Sequence, residues 1–179
     1  MSKLKLTRLQ LEIFKVLCKN SGKELNQKAL ARETGVSSTA ISKAIKILEK
    51  EDLIKVKKDS IMNLILITLN RDDKKVLQFK RAENLKQIYF SGLVEELEEK
   101  FAGATIILFG SYSRGDDTIK SDIDLAIINR KEKEINLKSF EKVLQREITL
   151  HFYSSWNEIH KELKENIFNG IVLAGGIEL

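Results

Sequence analysis

Apolar residues recur at helical intervals from Thr7 to Asn20 (Leu9, Leu11, Ile13, Phe14, Val16, Leu17), and Asn20-Ser21-Gly22 stops the run. Asn26 is placed to cap a second helix ending at Gly35, and Ser37 or Ser38 to cap a third. In the third, Ile41, Ala44, Ile45 and Leu48 share one face. Thr34-Gly35-Val36 between these two helices is a helix-turn-helix signal, because glycine permits the tight turn. Leu53–Val56 and Leu64–Leu69 then predict two strands around a charged Lys57-Lys58-Asp59-Ser60 turn. From Arg71 to Phe101 a long amphipathic helix is expected, with an interruption at Ser91-Gly92. Such a helix offers a homodimer contact or packs on the domain that follows; packing is preferred for its C-terminal half. The remainder alternates: strands at 104–109, 123–128 and 147–152, with helices at 135–144 and 156–167.

Three helices followed by a hairpin resemble the winged helix-turn-helix regulators, and charge supports the resemblance. Residues 1–70 hold 14 Lys/Arg against 7 Asp/Glu, a net of +7, whereas residues 71–179 hold 17 against 19, a net of −2. All the excess positive charge lies in the first 70 residues, as expected for a nucleic-acid-binding module, and the resemblance implies double-stranded DNA as its partner. The resemblance places Ser37, Ser38, Thr39, Ser42, Lys43 and Lys46 of the third helix in a major groove, and Lys55, Lys57 and Lys58 on the wing. That helix carries no Arg, Asn or Gln, so the strongest bidentate base readers are missing from it.

The stretch that carries chemistry is Phe109-Gly-Ser-Tyr-Ser-Arg-Gly-Asp-Asp-Thr-Ile-Lys-Ser-Asp-Ile-Asp-Leu125. Strand alternation puts Asp122 and Asp124 on one face, where two carboxylates repel unless a cation sits between them. Their oxygens suit a hard divalent ion such as Mg²⁺, which takes oxygen ligands and shares them with substrate phosphates. Gly110 lets backbone approach a phosphate, Ser111 offers a hydroxyl, and a helix start favours an anion.

With GSYSRG before and SDIDL after at this spacing, the segment from about Lys100 onward resembles the minimal nucleotidyltransferase domains of the DNA polymerase beta superfamily. The resemblance implies nucleotide binding by Gly110, Ser111 and Arg114 and metal binding by Asp122 and Asp124. Arg114 alternatively pairs with Asp116 or Asp117. The family's third carboxylate, on the third strand, is replaced here by Thr149. Glu147 and His151 share its face, and the longer carboxylate, Glu147, is the better substitute; the catalytic set is then Asp122, Asp124 and Glu147.

The expected fold is therefore α+β. A winged helix domain spans 1–70, a linker helix 71–100, and a nucleotidyltransferase domain with a small mixed sheet 101–179. The expected activity is Mg²⁺-dependent transfer of a nucleotidyl group by a DNA-binding protein. A protein acceptor such as a toxin partner falls within what the family implies. The alternative is a transcriptional regulator that binds the nucleotide as an effector without turnover. The single cysteine, Cys18, excludes an internal disulfide and a Cys-rich zinc site. No apolar run approaches the roughly 20 residues of a membrane span, and charges break up the N-terminal segment. A soluble, cytoplasmic protein is expected.

Overall fold

Thr7 opens the first helix, α1 (Arg8–Lys19), with a reciprocal cap. Its hydroxyl accepts from the Gln10 N–H, and the Gln10 side-chain oxygen accepts from the Thr7 N–H. The structure, a computed structural model, describes residues 4–60 and 64–177. It divides into two units, Met1–Lys80 and Arg81–Leu179.

In the first unit a two-residue strand, β1 (Leu25–Asn26), leads into α2 (Gln27–Thr34), whose Ala29 N–H is capped by the Asn26 side chain. Gly35 ends α2 at φ 70, in the left-handed region that glycine enters without a Cβ penalty. Ser37 caps α3 (Ser38–Lys50). The hairpin β2 (Ile54–Asp59) and β3 (Leu64–Leu69) is antiparallel, and β1 adds to its β3 edge. Ile13, Leu17, Leu30, Ile41, Leu48, Leu53 and Ile67 form the core of this unit.

The hairpin departs from expectation. Lys57, Lys58 and Asp59 are not turn residues; they continue β2, opposite Leu66, Ile65 and Leu64. Ladder hydrogen bonds come from backbone groups, and an exposed edge tolerates lysine, so charge did not mark the strand's end.

Helix α4 (Lys74–Phe90) contains the division between the units, with Val76 in the first core and Ile88 in the second. The expected interruption falls at Ser91-Gly92: Gly92 stands at φ 77 and α5 (Leu93–Lys100) starts beyond it. Leu93, Val94 and Leu97 are buried in the second unit, so this C-terminal stretch packs there.

The second unit is built on β4 (Thr105–Phe109), α6 (Gly110–Arg114), β5 (Ile123–Ile128), α7 (Lys138–Leu144), β6 (Ile148–Tyr153), α8 (Lys161–Phe168) and β7 (Ile171–Ala174). The sheet order is β6-β5-β4-β7; β4 is antiparallel to both β5 and β7, and β5 is parallel to β6. Ile106, Leu108, Ile123, Leu125 and Ile127 line one face beneath α5, while Ile107, Phe109, Ala126 and Ile128 pack on the other against Ile159 and Ile167. Both central strands are thus covered on two sides, which explains their nearly continuous apolar sequences.

Three boundaries moved. The helix expected at 135–144 begins at Lys138, where the Asn136 side chain takes the Lys138 N–H and holds a turn instead. The third strand is shifted by one residue to Ile148–Tyr153, which leaves Glu147 just before it. The helix expected at 156–167 splits into a 3₁₀ turn, Trp156–Glu158, and α8. Glu158 is drawn back to the Ser154 N–H at 2.8 Å, and Ile159 goes extended to reach the core. Strands β1 and β7 were not foreseen. Among the described residues no helix is long and apolar enough to cross a membrane.

Candidate functional site

Asp124 interrupts a strand that is otherwise buried. In the sheet it lies between Phe109 of β4 and Thr149 of β6. Its carboxylate rests against Gly110, the residue that turns β4 into α6 at φ 73. An added Cβ on Gly110 would stand 2.7 Å from Asp124 Oδ2, so only glycine leaves that oxygen its place.

The other oxygen, Oδ1, lies 3.2 Å from His151 Nε2. A carboxylate can only accept, so this contact requires the proton on Nε2. The imidazole ring is further fixed edge-on to Phe109, with centroids 5.2 Å apart.

Asp122 sits one residue ahead of β5 and is exposed, on the same face as Asp124. The Ile123 N–H donates to the Glu147 carbonyl at 2.9 Å, and Ile123 pairs with Ile148, so Glu147 stands opposite Asp122. Asp122 and Glu147 line an open pocket of about 450 Å³ with Lys120, Ser121, Glu141 and Arg146. Of the three alternate residues at and just before β6, Glu147 therefore neighbours Asp122, Thr149 flanks Asp124 in the ladder, and His151 makes the contact. Sequence reasoning placed His151 on this face but ranked Glu147 ahead of it.

Arg114 is half exposed and pairs with Asp116 at 3.1 Å, the simpler of its two expected roles. Helix α6 has only five residues, so its dipole adds little to anion binding and the backbone turn at Gly110 matters more.

Beneath the site runs a polar chain that the sequence did not reveal. Asn84 Nδ2 of α4 donates to the Tyr112 carbonyl at 2.9 Å and to Asp117 Oδ1 at 2.7 Å. Asp117 Oδ2 is 3.6 Å from an Arg146 guanidinium nitrogen, and all three side chains are buried. This chain anchors the loop between Ser111 and Asp122 from below. A buried pairing between residues 29 positions apart has no local sequence signal.

The donor set fits a hard divalent ion: two carboxylates on one face, one of them against a glycine whose missing Cβ gives it room. It is a sparse set. Among the described residues, no group of three or more His, Cys, Asp or Glu side chains is arranged to hold a metal.

On the first unit, Thr39, Ser42, Lys43 and Lys46 fall at helical spacing along one stripe of α3, opposite the buried Ile41, Ala44, Ile45 and Leu48. Ser38 and Thr39 are exposed at the first turn. The Ser37 hydroxyl is engaged as the helix cap, accepting the Ala40 N–H at 3.3 Å. Lys57 and Lys58 are both exposed but, as neighbours in a strand, project from opposite faces of the hairpin. The Lys55 ammonium donates to Asp72 and, through that hydrogen bond and its charge, holds the Asp72 carboxyl below the usual range. Its charge is thereby partly neutralised.

Two family models match the chain: a nucleotidyltransferase domain over residues 90–174 and a winged helix-turn-helix DNA-binding domain over residues 6–55. Among solved structures, the chain is similar to ZitR of Lactococcus lactis, a zinc-responsive MarR family member, at 24% identity and a TM-score of 0.41. That likeness covers 56% of this chain and 66% of ZitR. The adhesin competence repressor AdcR of Streptococcus pyogenes is 24% identical over 55% of this chain and 69% of its own, with a TM-score of 0.42. A MepR–DNA complex from S. aureus is 17% identical over 53% and 77%, with a TM-score of 0.40. No curated protein sequence matches the chain.

Proposed function

In a chain that joins a winged helix-turn-helix DNA-binding domain to a nucleotidyltransferase domain, we propose a DNA-bound site for a nucleoside triphosphate and transfer of its nucleotidyl group. The observation that carries the nucleotide reading is the seating of Asp124, the half-exposed residue of buried β5, against a glycine that has no room for a Cβ. Gly110 and Ser111 receive the phosphates. Arg114 exchanges Asp116 for a phosphate oxygen, an exchange that costs little because their pair is exposed. Mg²⁺ or Mn²⁺ held by Asp122 and Asp124 would supply neutralisation of the triphosphate's charge. In the transfer, an acceptor hydroxyl oxygen bonds to the α-phosphorus, the bond from that phosphorus to pyrophosphate breaks, and the hydroxyl proton passes to Glu147. The acceptor is a hydroxyl-bearing molecule, and a protein side chain, as on a toxin partner, fits that chemistry.

A second reading has its own observation. Thr149 stands beside Asp124 where a further carboxylate would serve catalysis, and His151 already holds Asp124 Oδ1. On this reading the nucleotide is an effector that changes DNA binding and is not consumed. One experiment separates the two. Full-length protein is incubated with Mg²⁺ and each labelled nucleoside triphosphate in turn, with and without duplex DNA. Pyrophosphate release and label on an acceptor support transfer; bound nucleotide recovered intact supports the regulator.

The DNA interface has an independent test. Phosphate contacts by Lys43 and Lys46 are expected to release counterions, so affinity for a duplex should fall steeply with salt. Each of Lys43→Ala and Lys46→Ala should lower the slope of log affinity against log salt by about 1. Affinity that is independent of salt, or no affinity for any duplex, would sink this assignment.

A further inference from the structure

We infer that the nucleotide site takes one divalent cation per chain, and that this cation enters with the triphosphate. The inference rests on the nucleotide-binding reading above, though not on its transfer step.

Two-cation sites set their ions about 3.5–4 Å apart and need a carboxylate that both ions can share. Asp124 is the residue placed for sharing, and both its oxygens are already constrained. Oδ2 faces Gly110, where an ideal Cβ would be 2.7 Å away. Oδ1 accepts from His151 Nε2 at 3.2 Å, and the ring behind that nitrogen is held edge-on by Phe109. An ion approaching Oδ1 from that side would meet the imidazole ring, which occupies that place.

No nearby residue compensates. The ladder partner of Asp124 is Thr149, a neutral hydroxyl. Glu147 stands opposite Asp122, two strand positions from Thr149 or about 6.6 Å along the strand. The protein therefore offers a few oxygens from Asp122 and Asp124, consistent with the absence of any larger ligand group among the described residues. The rest of an octahedral shell must come from phosphate oxygens and water, which makes cation and nucleotide binding mutually dependent.

Mn²⁺ is the probe, because its resonance signal disappears on binding. Full-length protein is titrated with Mn²⁺ alone and with each of the four α,β-methylene nucleoside triphosphates, and bound nucleotide is measured separately by ultrafiltration. The expected result is one Mn²⁺ per chain with whichever analogue binds, and Mn²⁺ uptake at least about fivefold weaker without it. Two Mn²⁺ per chain, or uptake indifferent to a nucleotide that does bind, overturns the inference and leaves the nucleotide reading standing. Retention of no analogue overturns both. The double variant Thr149→Asp with His151→Ala is expected to take a second Mn²⁺. If it melts as the wild type does and still takes one, these two residues do not set the number. Should it fail to fold, the wild-type stoichiometry decides.

Discussion

Replacing Asp122 and Asp124 together by asparagine is expected to weaken metal-dependent nucleotide binding by more than about a hundredfold and to leave the fold intact. Both residues lie on one face at the head of β5, where two like charges repel and contribute nothing to stability without a cation. The asparagine at position 124 keeps a side-chain oxygen that can accept from His151 Nε2, so the contact at 3.2 Å survives. The double variant thus removes charge and little else. Calorimetric titration with a non-hydrolysable triphosphate and Mg²⁺ measures the loss, and a thermal melt checks the fold; unchanged affinity in a folded double variant rejects the site. Gly110→Ala approaches the same oxygens from the other side. Its methyl would displace Asp124 Oδ2, and alanine at φ 73 adds a backbone cost of about 1–2 kcal/mol. Nucleotide affinity and melting temperature should therefore fall together in Gly110→Ala, whereas only affinity falls in the aspartate double variant.

Arg146→Met is expected to destabilise the second unit by about 3–5 kcal/mol. The guanidinium faces Asp117 Oδ2 at 3.6 Å with 3% and 0% of the two side chains exposed, so its removal takes a cation from beside a buried carboxylate. Asn84 still donates to that carboxylate at 2.7 Å, but a neutral amide does not replace a charge. Adding Asp117→Asn to Arg146→Met should recover part of the loss, because the carboxylate that faced the guanidinium disappears with it. The single tryptophan, Trp156, lies in the second unit against Phe168, so its fluorescence follows that unit during urea unfolding. Equal stabilities for wild type and Arg146→Met would show that the pair contributes nothing. The loop from Gly115 to Ser121 hangs on this chain through Asp117, so nucleotide affinity should also fall in Arg146→Met and return in the double variant.

The elements with local causes were legible from the sequence. Thr34-Gly35-Val36 and the Asn26 and Ser37 caps act within a few residues of themselves, so α2 starts and ends, and α3 starts, where their sequence says. Strand β5 has the span expected of it, and the i, i+2 spacing of Asp122 and Asp124 gives their common face without any partner strand. The unequal charge of the two halves likewise needs only counting.

Whatever depended on a distant partner was decided by the tertiary structure. Strands β1 and β7 have two and four residues, too few to show alternation, and exist through β3 and β4. Trp156–Ile167 has the periodicity of one helix but yields at Ile159, whose burial required an extended residue there. Asp117 looked like a partner for Arg114, close by in the chain; Arg114 took Asp116, and burial brought Arg146 to Asp117 across 29 positions. Alternation put Glu147, Thr149 and His151 on one face as equals. The parallel register of β6 on β5 set Glu147 beside Asp122 and Thr149 beside Asp124, and the packing of an imidazole on Phe109 brought His151 to Oδ1. A strand's own sequence fixes which way its side chains point, but only pairing and packing fix what they meet, because those energies belong to residues far apart in the chain.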